Sequence, residues 1–139
     1  MDRIIYCSTA KDSVTLETIS SIVKAAAANN KEHGISGFLL FNQKFFVQVL
    51  EGESESLNHT YHKIVRDDRH EKLVILSLER NIPFRKFFEW DLAFVTLKKT
   101  NRDLYLKYLP VNEFNPYLLN ASSSLGFMED MVKTQKTEG

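Results

Sequence analysis

The chain has 139 residues, with 18 Lys and Arg against 18 Asp and Glu, so its formal net charge is zero. This length fits one domain, and the apolar content of 43% excludes disorder by composition. A neutral chain lacks the excess of cations that nucleic-acid binding requires. One cysteine, Cys7, can form neither an internal disulfide nor a multi-thiolate metal site. With no signal peptide and no apolar run of about 20 residues, we expect a soluble cytoplasmic protein without a membrane partner.

The first third of the chain predicts a strand followed by a helix. Residues 3–8 are β-branched and aromatic, which is typical of a strand. Ser13 or Thr15 is placed to cap a helix whose apolar residues recur at helical spacing. This helix is expected to end at residues 29–30, with Gly34 completing the turn that follows.

A β-hairpin and a second helix come next. The runs 36–41 and 45–52 are rich in aromatic residues and flank a three-residue polar turn, which indicates two antiparallel strands. Ser54 or Ser56 is predicted to cap the second helix, which ends before His70.

Two further strands are predicted at residues 73–79 and 87–95, the second from its strict alternation. The order β-α-β-β-α-β-β predicts an α+β protein with a ferredoxin-like sheet and both helices on one face. In this arrangement we expect the first and third strands to be central, parallel neighbours.

The third strand carries apolar residues on both of its faces. Phe46 and Leu50 share one face, whereas Val47 and Val49 share the other. Both faces of the sheet should therefore be covered, although two helices cover only one. We expect the apolar residues between 101 and 132 to pack as helices on the second face. The chain then divides into a domain of residues 1–97 and a helical extension of residues 98–139.

Three polar side chains stand out among the apolar strands and helices. Tyr6 and Gln48 lie on the two central strands, on the face that the helices cover, and Asn30 ends the first helix. A phenol and two carboxamides in apolar surroundings suit a planar heteroaromatic ligand with alternating donors and acceptors. The alternatives are a buried polar group satisfied within the core and, for Asn30, an ordinary helix C-terminus.

The pattern around these residues resembles the BLUF family of flavin-binding blue-light sensors. The matching segments are IIYCS with Tyr6, the stretch AANNKEHGISGFLLF, and FFVQVLEGE with Gln48. TYHKIVRDDRH and the aromatic strand FFEWDLAF with Trp90 match as well. The similarity extends over residues 1–97, and the length is similar to that of short, stand-alone members.

The resemblance implies a position around the flavin for each of several residues. The flavin ring would lie between the two helices, with Asn30 bonded to its polar edge and Ile22 packed on its face. Lys63 stands where the family often has Arg. The implied flavin-binding residues are Ile22, Asn29, Asn30, Lys63, Asp67, Arg69 and His70; the implied photoactive residues are Tyr6, Gln48 and Trp90.

The resemblance also implies a light-driven switch without enzymatic turnover. Tyr6 would give an electron to the light-excited flavin, a proton would follow through the Gln48 amide, and the hydrogen bonds of Gln48 would end rearranged. The family often has Met two residues after the Trp, but this chain has Leu92, which lacks the thioether. Leu92 is therefore the residue at which we expect signal output and recovery to differ.

Cofactor and partner follow from the same resemblance. FAD is the expected cofactor, but without a glycine-rich phosphate loop the sequence does not separate FAD from FMN or riboflavin. His59 and His62 lack further ligands nearby, so no metal is expected. The signal should leave through self-association and a downstream signalling protein. The alternatives are a light-independent ferredoxin-like regulatory module that binds another small ligand and, less favoured, a small hydrolase.

Overall fold

The structure is a computed structural model that describes residues 1–42, 44–88, 91–97, 102–109 and 113–138, with side chains as far as residue 134. Five strands and two long helices form its first part: β1 (Asp2–Ala10), α1 (Leu16–Glu32), β2 (Ser36–Asn42), β3 (Phe45–Gly52), α2 (Ser54–Arg66), β4 (His70–Glu79) and β5 (Ala93–Thr96). The C-terminal part contains α3 (Arg102–Tyr105), a 3₁₀ turn (Pro116–Leu118) and α4 (Ala121–Glu138).

The strands form one mixed sheet in the order β4-β1-β3-β2-β5. This order confirms the predicted ferredoxin-like fold with β1 and β3 at its centre. The predicted parallel pairing of these two strands is wrong, since they run antiparallel. Because α1 returns the chain to the end from which β1 started, β2 runs in the direction of β1, and the hairpin then reverses β3.

The fifth strand is shorter than its alternating sequence predicts. Strand pairing begins at Ala93, where β5 runs parallel to β2, rather than at Phe87. The backbone N–H groups of Lys86 and Phe87 instead donate to the side-chain carboxylate of Glu51. A backbone donor that binds a side chain cannot join a ladder with another strand, which accounts for the absence of Phe87 from β5.

The helix ends agree only in part with the sequence prediction. Thr15 caps α1, because its Oγ1 accepts from the backbone N–H of Thr18 at 3.2 Å. The N-cap of α2 is Glu53, without a side-chain cap, so the predicted Ser54 and Ser56 caps are wrong. Gly34 adopts a φ of +67° just after α1, the left-handed conformation that glycine adopts most readily.

Both faces of the sheet are covered, as the parity of β3 predicts. One apolar core joins residues of β1, β2 and β3 to the C-terminal segment; its members include Val47, Val49, Phe114, Phe127 and Met131. On the opposite face, α1 and α2 each cover a smaller cluster. Since residues 98–101 lie outside the described part of the chain, the division at residue 97 stays a prediction. None of the helices in the described ranges combines the length and hydropathy needed to cross a bilayer.

Candidate functional site

Tyr6 and Gln48 face each other across the two central strands. They are direct partners in the antiparallel register of β1 and β3, so their side chains emerge on the same face of the sheet. Both side chains are buried, and the Tyr6 hydroxyl donates to Gln48 Oε1. The pairing therefore brings the predicted phenol and carboxamide into direct contact.

The environment of Tyr6 keeps its phenol protonated. Burial, reinforced by the nearby Tyr61 and the negative charge of Asp67, holds the pKa of Tyr6 well above its ordinary value. The rings of Tyr61 and His70 stand edge-on to the Tyr6 ring, with centroids 6.3 and 6.4 Å away. Tyr6 therefore keeps its hydroxyl proton throughout the neutral pH range.

A cavity of about 360 Å³ opens beside this pair, between α1 and α2 and over the sheet. It separates the apolar cluster under α1 from the cluster under α2. Its lining combines aliphatic and aromatic side chains with a small set of polar groups: Tyr6, Ile22, Ala25, Ala26, Asn29, Asn30, Leu39, Phe46, Gln48, Thr60, Lys63, Ile64, Asp67, Arg69 and His70. This composition and volume are typical of a small-molecule site.

The C-terminal turn of α1 supplies two carboxamides to the cavity. Asn30 is buried, and its Nδ2 donates to the backbone carbonyl oxygen of Asp91 at 2.8 Å. Asn29 bridges the two helices, since its Nδ2 donates to Thr60 Oγ1 at 3.1 Å and its Oδ1 accepts from Lys63 Nζ at 3.2 Å. These bonds fix the width of the opening between α1 and α2.

The segment after α2 closes another side of the cavity. Arg69 donates from its backbone N–H and from Nε to the carboxylate of Asp67, and this hydrogen bonding holds the pKa of Asp67 below its ordinary value. His70 Nε2 lies 2.7 Å from the carbonyl oxygen of Ile64, and its Nδ1 lies 2.7 Å from Ser8 Oγ. Because a carbonyl only accepts, Nε2 of His70 donates to Ile64, while Nδ1 contacts the Ser8 hydroxyl.

All seven residues predicted to bind the ligand line this one cavity, together with Tyr6 and Gln48. Trp90 lies outside the described residues. Leu92 is absent from the cavity wall but packs against the α1-side cluster that contains Leu39 and Phe46. No group of three His, Cys, Asp or Glu side chains suited to a metal ion occurs within the described ranges.

Sequence reasoning missed six residues of the cavity lining: Ala25, Ala26, Leu39, Phe46, Thr60 and Ile64. Thr60 is buried and binds Asn29, and its position one turn before Lys63 on the same helix face was the available signal. Leu39 and Phe46 complete the floor from β2 and β3, and the parity that Phe46 shares with Gln48 was the signal for its face. Ala25 and Ala26 leave room beside Ile22, and the run of four alanines in α1 indicates such a close approach.

The residues present suit a flavin. The slot between two helices accepts a flat ring, with small residues of α1 and Ile64 of α2 on its sides. Carboxamides and a lysine on the α1–α2 side provide both donors and acceptors, as the polar edge of an isoalloxazine requires. Tyr6 and Gln48 border the same space from the sheet.

Comparison with known proteins gives the same identification. Residues 1–93 match the family model BLUF, described as sensors of blue light using FAD. The chain is 36% identical over 94 residues to photoactivated adenylate cyclase subunit alpha of Euglena gracilis, which covers 65% of this chain but 9% of that protein. It is 32% identical over 103 residues to the blue light- and temperature-regulated antirepressor BluF of Escherichia coli (strain K12), covering 74% of this chain and 25% of the relative.

A solved structure extends the likeness to nearly the whole chain. The photo-activated state of BlsA superposes with a TM-score of 0.84 at 28% identity and covers 94% of both chains. The chain spans less than a tenth of the cyclase subunit's length, so the similarity carries the sensory region and not the cyclase activity. The chain belongs to the BLUF family of blue-light sensors that use FAD.

Proposed function

We propose that this chain is a non-enzymatic photoreceptor of the cytoplasm that holds FAD between α1 and α2 and signals through a hydrogen-bond switch of Tyr6 and Gln48. The observation that carries the proposal is the bond from the Tyr6 hydroxyl to Gln48 Oε1 at the wall of the cavity. In this proposal residues 1–97 form the sensor and residues 98–139 form its extension.

Each residue of the cavity takes a role that its chemistry supports. Asn29, Asn30 and Lys63 would bind the polar edge of the ring, while Ile22 would pack on its face. Asp67, Arg69 and His70 would frame the side nearest the end of α2, where their mutual hydrogen bonds keep them in place. Trp90 stays a predicted member of the photoactive set.

The Tyr6–Gln48 bond has the properties of a two-state element. A carboxamide presents an acceptor on one side and donors on the other, and a phenol hydroxyl can donate or accept. In the structure Gln48 Oε1 faces Tyr6 and accepts a hydrogen bond from its hydroxyl. A rotated or tautomerised amide would present a donor to Tyr6 Oη, so both arrangements keep the buried phenol satisfied.

Light would act on this element through the phenol. A flavin held in the cavity would supply, under blue light, an acceptor for one electron of Tyr6. Loss of this electron makes a phenol strongly acidic, so the proton on Tyr6 Oη would pass to Gln48 Oε1 along the existing bond. Return of both the electron and the proton to Tyr6, with the amide rearranged, would leave Gln48 offering a different hydrogen-bond pattern to the cavity.

The output is proposed to pass through protein contacts. Gln48 is the register partner of Leu39 in β2, and Leu39 in turn pairs with Phe94 in β5. Leu92 packs against the same cluster as Leu39, so it lies where a change at Gln48 would reach β5. The zero net charge favours a homo-oligomer or a downstream signalling protein over nucleic acid or a membrane surface.

Colour provides the first test. The purified full chain should be yellow, and heat-released cofactor should comigrate with FAD rather than with FMN or riboflavin in chromatography. Blue light should shift the flavin bands reversibly to the red by a small amount. A colourless protein that binds no added flavin would contradict the proposal and favour a light-independent module with another ligand.

A further inference from the structure

The edge strand β4 exposes an unusual amount of apolar surface. β4 is the outermost strand, and β1 is the strand with which it pairs in the described part of the chain. Val74, Ile75 and Leu78 are 44%, 45% and 55% exposed. Charges and proline are two of the features that protect edge strands, and residues 73–78 contain neither. The pairing of β4 with β1 is irregular at two places, opposite Ile5/Tyr6 and opposite Cys7/Thr9.

A cavity lies on each face of the sheet at this edge. The one on the α2 side has a volume of about 470 Å³ and is lined by Asp2, Ile4, Ser54, Glu55, Leu57, Asn58, Tyr61, Ile75, Leu78 and Arg80. The one on the α4 side has a volume of about 380 Å³ and is lined by residues 75–79 of β4 with Ala121, Ser122 and Leu125. The two cavities share Ile75 and Leu78.

Two cavities on opposite faces of one edge strand fit an added strand. A segment that pairs with the backbone of β4 would direct its successive side chains to alternate faces. One set of side chains would enter the α2-side cavity, and the other would enter the α4-side cavity. Both cavities have aliphatic floors, so the fitting segment carries aliphatic side chains at consecutive positions.

The charges on β4 argue against a second copy as the occupant. Antiparallel pairing of two β4 strands about an axis at Ile75 would place Glu71 opposite Glu79 of the second copy. Like charges directly opposite one another in a sheet are destabilising, so this register is disfavoured.

The charges around the α2-side cavity favour an occupant with a basic residue. Asp2 and Glu55 contribute two carboxylates to its lining, whereas Arg80 contributes one cation. Arg80 Nε lies 3.5 Å from Asp2 Oδ2, so this cation is paired with Asp2. The carboxylate of Glu55 then gives the lining an excess negative charge at the α2 end. A Lys or Arg beside the aliphatic residues of the incoming segment would balance this charge.

We infer that the β4 edge docks an extended segment of another protein, consisting of consecutive aliphatic residues with a flanking basic residue. This inference rests on the proposed output through protein contacts and identifies the chemistry of the partner. The docking surface also adjoins the switch, because Ile75 is the register partner of Tyr6. Tyr61 links them as well, since it lines the α2-side cavity and its ring stands edge-on to that of Tyr6.

A synthetic peptide can test this surface directly. The probe is a fluorescein-labelled Lys-Val-Leu-Val-Leu-Val-Lys, methylated on alternate backbone nitrogens so that one edge alone can pair. Added to the full chain in the dark, it should give a saturable rise in anisotropy and slow hydrogen exchange at residues 73–79. Leu78→Lys and Ile75→Lys should each weaken binding at least tenfold. Leu16→Lys changes a 72% exposed leucine of α1 and should leave binding unchanged.

Several results would overturn the inference. These are the absence of saturable binding up to millimolar chain, equal binding by the β4 variants and wild type, or slowed exchange confined to other strands. A wild-type dimer in sedimentation that Leu78→Lys converts to monomer would identify a second copy as the occupant instead. Because the assay needs no light, loss of the red shift and loss of peptide binding report separately on the photoreceptor proposal and on the docking surface.

Discussion

Asn30 donates from Nδ2 to the backbone carbonyl oxygen of Asp91, 2.8 Å away, and so ties the end of α1 to the residue that lies two positions before β5. The same side chain lines the cavity between the helices. One buried carboxamide therefore contributes both to the ligand site and to the placement of the last strand. The consequences of removing it should appear in ligand binding and in stability together.

Asn30→Ala is expected to lower the free energy of unfolding by about 0.5–1.5 kcal/mol, because the hydrogen bond from Asn30 Nδ2 to the backbone carbonyl of Asp91, an exposed residue, is lost. Flavin content, read as the ratio of absorbance at 450 and 280 nm, should fall in the same variant. Asn58→Ala, at an exposed position of α2, should change neither urea unfolding nor flavin content. Full flavin content in Asn30→Ala would contradict the binding role assigned to this residue.

Tyr6→Phe and Gln48→Leu should keep the flavin but lose the normal red shift under blue light. Phenylalanine has no proton to donate, and leucine offers neither an acceptor nor a donor, so either change removes the two-state element. Difference spectra before and after illumination provide the measurement. Tyr61→Phe is the matched control, since Tyr61 contacts the Tyr6 ring edge-on but takes no part in the bond to Gln48. A normal shift in either switch variant would refute the proposed pair.

Glu51 connects the central strand to the segment that precedes β5. Its side chain is fully buried and accepts from Arg3 Nε at 2.7 Å and from the backbone N–H of Phe87 at 2.6 Å. Arg3 is itself 3% exposed and also donates to Glu79, whose side chain is 41% exposed. The two carboxylates thus bind one cation from very different environments.

Glu51→Ala should destabilise the chain by about 3–5 kcal/mol, because it leaves a buried guanidinium and two backbone donors without their acceptor. Glu79→Ala removes the exposed partner of the same Arg3 and should cost at most about 1 kcal/mol. Urea unfolding of both variants at neutral pH gives the comparison. Equal losses would show that the burial of Glu51 adds nothing to the strength of the pair.

The sequence predicted a sheet covered on both faces, because apolar side chains on both faces of β3 have to be buried. It also placed Tyr6 and Gln48 on the helix-covered face of two neighbouring strands. Their direct register partnership follows from the antiparallel pairing of β1 and β3, which the sequence analysis did not predict. The absence of Phe87 from β5 could not be predicted, because its backbone N–H makes a long-range bond to the Glu51 carboxylate. The alternation of apolar and polar residues in a strand carries no information about a distant side chain that binds its backbone N–H groups.

Thr60 shows the same limit within the candidate site. A lone threonine in an amphipathic helix has many ordinary explanations, and its bond to Asn29 arises only when α1 and α2 come together. The antiparallel direction of β3 could instead have been predicted, since a helix crossover followed by a hairpin reverses the third strand relative to the first.

Cys7 points away from Tyr6 into the apolar core under the C-terminal helices, and burial raises the pKa of its thiol from 9.0 to about 12. At pH 8 the thiolate fraction is then about 10⁻⁴, so the native chain should resist iodoacetamide that modifies the urea-unfolded chain within minutes.

The unfolded thiol of Cys7 ionises near pH 9 while the folded thiol stays protonated. The stabilisation from Cys7 is therefore complete below pH 9 and declines by up to about 1.4 kcal/mol per pH unit between pH 9 and 12. The urea midpoints of wild type and Cys7→Ala should consequently converge above pH 9, because the other titrating groups are common to both proteins. A difference between the two midpoints that stays constant from pH 8 to 10.5 would contradict the raised pKa of Cys7.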